Sequence, residues 1–335
     1  MLKKLILGVF ILFLGMGVAA AWLYQEMLRT MNSPLLGDDQ PSAFVVAPGM
    51  GLNDVVGQLN QQGLIQTPEF ALVWARLNKI AHRLKAGEYA LTPGLTAKEL
   101  FDNMVKGEVV HHSITLLEGW NIRQMLAEVA RHEQLKVTLD HSDIMSLGEQ
   151  LNLPTQHPEG WFFPDTYHFT RGTTDEALLK RAHQAMVKYL DQAWEKRVEN
   201  LPFKNAYEAL SLASIVEKET GVVYERPKIA GVFVRRLQKR MRLQADPTVI
   251  YGMGEAFDGN IRRRDLRTDT PYNTYTRHGI TPTPIAMPSG AAIDAVLNPE
   301  DGNELYFVAK GDGSHYFSAT IHEHNRAVRK YQLKR

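Results

Sequence analysis

With 335 residues, 44% of them hydrophobic and 22% charged, the chain has an ordinary globular composition and enough length for two domains. Thirty-eight basic residues against 37 acidic ones leave a formal net charge of +1, so no overall field would draw it to nucleic acid. The absence of cysteine excludes disulfides, thiolate metal ligands and a cysteine nucleophile.

Residues 1–4 include Lys3 and Lys4, and the run from Leu5 to Tyr24 carries no charge. As a helix rising about 1.5 Å per residue, residues 5–24 span about 30 Å, the depth of a hydrocarbon core. A transmembrane anchor is therefore expected, with its N-terminus cytoplasmic by the positive-inside bias and the remainder of the chain exported. Trp22 and Tyr24 suit the outer interface. A cleaved signal peptide is the competing reading, because Ala19-Ala20-Ala21 offers small residues, but the apolar run exceeds a usual signal core.

Residues 25–43 are polar, contain Ser33-Pro34, Gly37 and Pro41-Ser42, and read as a spacer. From Phe44 one pattern recurs: an apolar run, a glycine turn and a helix start, at Ala47 to Val55, Thr92 to Leu100 and Leu117 to Met125. Leu52, Val55, Val56 and Leu59 keep helical spacing. Thr67-Pro68 starts a second helix with Phe70, Val73, Trp74 and Leu77 on one face. The resulting βααβ order resembles the LysM module, a resemblance that implies binding of wall glycan; a small supporting domain is the alternative. This unit and its connecting stretch are assigned to residues 44–157.

Residues 158–335 read as a mixed α+β domain, so the fold class is α+β: a transmembrane helix, a LysM-like βααβ subdomain and a mixed catalytic domain. Helices are expected over Asp175 to Asn200, Ala206 to Thr220 and Ile229 to Leu237, and a hairpin over Leu305 to Phe317. In the second helix Ser211, Ser214 and Lys218 share a narrow polar face, while Glu217 and Glu219 fall on opposite margins of the apolar arc. A carboxyl among apolar neighbours gains the raised pKa that a general acid needs, and geometry alone does not choose between the two.

Downstream, Asp246 precedes Pro247 and reads equally as a helix N-cap or a site residue. Gln244, Tyr251, Tyr272, Asn273 and Tyr275 supply amides and phenols of the kind that bond to and stack on sugars. The aromatic turn Glu159 to Tyr167 is a sugar platform or a core plug. His315, His322 and His324 do not form the helical His-Glu-x-x-His zinc motif and are expected on the surface, and the basic run Arg235 to Arg242 is expected on the solvated side of an amphipathic helix. No Gly-x-Ser-x-Gly elbow is present.

Four ordered motifs, Glu159-Gly-Trp-Phe-Phe-Pro-Asp165, Ala213-Ser-Ile-Val-Glu217-Lys-Glu219-Thr220, Leu243-Gln-Ala-Asp-Pro-Thr-Val-Ile-Tyr-Gly252 and Tyr272-Asn-Thr-Tyr275, together resemble the endolytic murein transglycosylase family. The resemblance runs from the anchor nearly to the C-terminus and implies that Glu217 is catalytic. It implies a lyase that cleaves the MurNAc-GlcNAc bond of nascent peptidoglycan and leaves 1,6-anhydromuramyl ends, so terminating strand elongation. One carboxyl then serves as acid and base, where a glycan hydrolase needs two. Gln244, Asp246, Tyr251, Tyr272, Asn273 and Tyr275 are the expected substrate-binding set, with no cofactor and no metal. The implied place is the inner membrane, catalytic domain periplasmic, with glycan strands and peptidoglycan synthases as partners and no nucleic acid. A non-catalytic wall-binding scaffold and a hydrolytic muramidase are the alternatives.

Overall fold

Helix α1, Leu2–Met31, opens the computed structural model, which describes residues 2–35 and 42–333. It overruns the expected end at Tyr24, so residues 25–31 are helix and not spacer. The reason is burial: Met27 and Met31 are 3% and 1% exposed and pack with Leu35 into a core of the first unit. Upstream the helix is bare, with Leu5, Phe10, Leu14 and Trp22 exposed, and it is long and apolar enough to cross a membrane. Gly37 and Pro41 of the expected spacer lie outside the described residues.

The chain forms two compact units, Met1–His112 and Ser113–Arg335. In the first, β1 (Ala43–Val46), α2 (Leu52–Gln61), α3 (Pro68–Leu77) and β2 (Gly87–Ala90) follow in the expected strand, helix, helix, strand order, and α4 (Ala97–Lys106) closes the unit. The two strands pair antiparallel with Phe44 opposite Tyr89, both fully buried. Leu52, Val55, Val56 and Leu59 are buried as their spacing predicts. Pro68 sits in the first turn of α3, where its missing N–H costs nothing.

The second unit contains α5 (Ile122–Arg131), α6 (Ser146–Gln150), α7 (Asp175–Glu195), α8 (Ala206–Glu219), α9 (Arg226–Gln238), α10 (Asp246–Met253), α11 (Gly290–Leu297) and α12 (Ile321–Tyr331). Strand β3 (His112–Thr115) pairs with β4 (Thr166–Phe169), and β5 (Tyr306–Ala309) forms with β6 (His315–Ser318) the antiparallel hairpin read from the sequence. The expected boundary at 157/158 falls inside this unit. Ile114, Leu116, Ile122 and Met125 share one core with Phe162, Phe169 and Leu178, so the connecting stretch cannot be parted from the residues C-terminal to it.

Helix α8 is the centre of the larger core, packed by α9, α11 and the second half of α7. Every residue from Ala209 to Glu217 is buried, including the supposedly polar Ser211 and Ser214, at 2% and 0% exposure. Their hydroxyls bond inward instead: Ser211 Oγ donates to Tyr207 O, and Ser214 Oγ donates to Ser211 O while accepting from Ile285 N. Each buried Leu, Ile or Val here contributes about 1.5–3 kcal/mol, which holds the helix rigidly.

The basic run also departs from expectation. Arg236 is buried and donates to Leu243 O and Leu305 O, and Arg235 donates to Glu300 O and Glu304 O, so these two arginines tie down the chain around the hairpin instead of facing water. The aromatic turn is a core plug: Trp161 and Phe162 are 6% and 0% exposed, and Trp161 stacks on Tyr207.

Asp175, fully buried at the start of α7, accepts from Thr138 N and Oγ1, Leu139 N and His141 Nε2. Burial alone would raise its pKa, but these hydrogen bonds outweigh it and hold the carboxyl below its ordinary range. A depressed carboxylate stabilises the fold above its unfolded pKa of about 4 and stops doing so as pH falls. Asp175→Ala is expected to lose about 3 kcal/mol at pH 7 in urea unfolding, with the gap to wild type narrowing below about pH 4.

Candidate active site

Asn205 caps α8 by accepting from Glu208 N, and the helix delivers Glu217 to its last turn. Its side chain is 4% exposed, yet it is not left among apolar groups as the sequence suggested. Oε1 accepts from Arg226 Nη2 at 2.7 Å, and Oε2 accepts from Ser289 N at 2.9 Å and Ser289 Oγ at 2.5 Å. Arg226 begins α9 and Ser289 caps α11, so the ends of three helices converge on one carboxylate.

A loop at the third glycine turn lies beside it. Gly119 takes φ +75°, which a side chain would strain. Gly119 N donates to Met287 O at 2.9 Å, Met287 N donates to Trp120 O at 2.8 Å, and Lys218 Nζ donates to Gly119 O at 3.1 Å. Between loop and helix end is a cavity of about 290 Å³, lined by Glu118, Trp120, Gln124, Glu217 and Lys218 among others. Glu118 Oε1 lies 3.7 Å from the same Arg226 Nη2.

Three of the expected substrate-binding residues come together elsewhere in this unit. Gln244, Asp246 and Tyr275 line a second cavity of about 490 Å³ with Glu219, Arg236, Tyr306 and His324. Asp246 is not an N-cap: Ala245 holds that position, and Asp246 Oδ1 accepts from Tyr275 Oη at 2.5 Å. Gln244 is held at φ +51°, a conformation few side chains adopt. Glu219 is partly exposed as a residue, but burial of its carboxyl and the charge of Asp246 push it up to about 8, against the opposing pull of Arg236.

The other three expected residues line neither cavity. Tyr251 donates to Glu159 Oε2 at 2.9 Å and packs edge-on against Tyr272, whose hydroxyl meets Thr283 Oγ1. Asn273, 1% exposed, donates to the carbonyls of Asp265, Leu266 and Thr268 and accepts from Tyr275 N, so it shapes the loop that carries Tyr275. Sequence reasoning missed Glu118, Arg226 and Ser289, and read Glu159 only as the first residue of the aromatic turn. Glu118 stood in the recurring turn pattern and Arg226 before Pro227 at a helix start, but no local signal marked either as Glu217's neighbour.

Among the described residues no group of three or more His, Asp or Glu is arranged to hold a metal ion. His315 instead pairs with Glu225 at 2.7 Å, and His324 stacks on Tyr306.

Fold and site together define an α+β protein whose candidate chemistry rests on carboxylates at helix ends. The pattern of the YceG-like family matches residues 44–330, and the chain belongs to that family. It is 30% identical to the endolytic murein transglycosylase of Bacillus subtilis strain 168 over 94% of this chain and 91% of that protein. It is 27% identical to the endolytic murein transglycosylase of Streptococcus pneumoniae D39 over 95% of this chain and 64% of that one. A crystal structure of a YceG-like protein from Listeria monocytogenes superposes with a TM-score of 0.53 at 29% identity, covering 85% of this chain and 98% of the other.

Glu159 offers a physical test of the buried frame. It is fully buried, accepts from Ile122 N and Tyr251 Oη, and is pushed by burial from 4.5 up to about 8, with Tyr251 and Ile122 opposing. A carboxyl raised in the folded state stabilises fully below its unfolded pKa and loses that contribution as pH rises through the folded one. Thermal unfolding should therefore find Glu159→Gln less stable than wild type near pH 5, with the difference shrinking toward pH 8. A constant gap would contradict the assignment of a buried neutral acid.

Proposed function

We propose that this protein is a peptidoglycan lytic transglycosylase, with Glu217 as its acid/base, cutting the MurNAc-GlcNAc bond of nascent strands and so ending their elongation. The observation that carries the reading is Glu217 itself: a carboxyl whose side chain is 4% exposed, met on both oxygens by donors, and still lining an open cavity. The family match and the names of its relatives supply the substrate class.

The three donors favour the ionised form of Glu217, so it enters the reaction after taking up a proton from solvent, and in the first half its carboxyl gives that proton to the bridging oxygen as the C1–O bond breaks. Arg226 and Ser289 then stabilise the carboxylate that remains, with donors already in place and no reorganisation needed at that moment. In the second half the muramyl 6-hydroxyl attacks C1, and Glu217 takes its proton. The intramolecular nucleophile replaces water, and the product is a 1,6-anhydro end. In this reading Gln244, Asp246 and Tyr275, around the second cavity, are substrate-binding residues, while Tyr251, Tyr272 and Asn273 serve by holding their loops. The βααβ order of the first unit supports a LysM-like role in binding wall glycan.

Glu217→Gln, which keeps the shape and loses the titrating proton, is expected to cut release of anhydromuramyl ends by at least about 10³-fold in mass spectrometry of glycan products. Undiminished anhydro product would reject the assignment, and ends heavier by one water would indicate a hydrolase.

Helix α1 serves in the same reading as a retained anchor in the inner membrane, N-terminus cytoplasmic, with both units in the periplasm beside the synthases that make the strand. Its apolar stretch is exposed, while Met27 and Met31 continue into the folded core. N-terminal sequencing of the membrane-bound protein should find the start intact. A mature start near Trp22 would replace the anchor by a cleaved signal.

A further inference from the structure

Glu217 has little capacity to spare. Oε2 already receives two hydrogen bonds from Ser289 and Oε1 one from Arg226, and the proposed reaction adds the travelling proton. Something else must hold the sugar so that its own 6-hydroxyl, and not water, reaches C1. The cavity contains a second carboxylate placed for this.

Glu118 lines the same 290 Å³ cavity, and its Oε1 lies 3.7 Å from the guanidinium nitrogen that Glu217 holds at 2.7 Å. Two carboxylates on one Arg226 face one space. Glu118 is otherwise uncommitted: no hydrogen bond from a described residue reaches its carboxyl, and its side chain is 57% exposed. Its backbone is not free. The flanking Gly119 and Trp120 are fastened to Met287 by two main-chain hydrogen bonds, and Lys218, next to Glu217 on α8, fastens Gly119 O. A fixed backbone with an unoccupied acceptor suits orientation of a ligand better than support of the fold. Trp120 adds an aromatic surface and Gln124 an amide to the same lining, the combination that recognises a saccharide.

Resting on the transglycosylase reading above, we infer that Glu118 is a second substrate-contacting carboxylate: it accepts a hydrogen bond from a hydroxyl or acetamido N–H of the muramyl ring and sets the ring so that the 6-hydroxyl closes on C1 ahead of water. It transfers no proton. It decides whether the product is an anhydro or a hydrolysed end.

The test uses full-length protein in detergent with purified glycan strands, measuring kcat, KM and the ratio of anhydro to reducing ends by mass spectrometry. Glu118→Ala is expected to lower kcat about 30- to 100-fold, to change KM less than about threefold, and to let reducing ends appear. Glu118→Gln keeps an acceptor oxygen and nearly the same shape, so it should recover part of the rate and most of the anhydro product. Near-UV circular dichroism and thermal unfolding check that both variants fold. Turnover within threefold of wild type with only anhydro ends, or a loss lying wholly in KM, overturns the inference. Full activity of Glu217→Gln would instead remove the reading on which it rests; an inactive Glu217→Gln beside unaffected Glu118 variants removes this inference alone.

Discussion

The buried pair of Glu217 and Arg226 is the constraint on which the site depends. Taking both charges out of water costs several kcal/mol per ion, and the pair survives only because geometry and further donors offset that cost. Here the guanidinium bonds at 2.7 Å, and Ser289 supplies both a backbone N–H and a hydroxyl to the other oxygen. Removing one partner would leave an uncompensated buried charge worth about 3–5 kcal/mol. The starts of α9 and α11 are therefore held against the end of α8 by chemistry as well as by apolar packing.

That arrangement explains why α8 is buried along so much of its length. A helix that must hold a carboxylate within a few tenths of an ångström benefits from neighbours on all sides, and Ala209 to Glu217 have them. Ser211 and Ser214 fit because their hydroxyls bond to carbonyls of the same helix, so neither is left unsatisfied in the core. The two-residue step from Glu217 to Glu219 then turns the second glutamate toward Asp246 and Arg236. One helix end thus presents two carboxyls in different electrostatic surroundings, one met by three donors and one pushed up to about 8.

Helix α1 joins two kinds of surface in one element. Its exposed apolar stretch is suited to lipid, and its last turns contribute Met27 and Met31 to a protein core. A single continuous helix leaves little slack between the two, since helical residues rise only about 1.5 Å each. The first unit's βααβ order and its antiparallel strand pair arise from short apolar runs separated by glycine and proline signals, which are local features.

Much of the secondary structure was legible in the sequence, because periodicity, caps and turns are local: the βααβ order, α7, α8, α9 and the β5–β6 hairpin all come from spacing. What the local pattern misjudged was polarity. Ser211, Ser214, Arg235 and Arg236 look solvated on a helical projection, yet three are buried and all four bond within the protein, since burial depends on what another segment brings to that face. Residues on either side of 157/158 meet for the same reason: Ile114 and Phe162 share a core that no linear composition records.

The sequence by itself determined the chemical inventory: a chain without cysteine, with one long apolar run and two glutamates, Glu217 and Glu219, near the end of one helix, of which the family resemblance implies the first as catalytic. Only the tertiary structure decided what that carboxyl meets: Arg226 nine residues on and Ser289 seventy-two residues on, with Glu118 brought in by a loop from the opposite side of the sequence. Helical spacing tells which side a residue faces, but the partner across the gap is chosen by packing among distant segments, which obeys no local period.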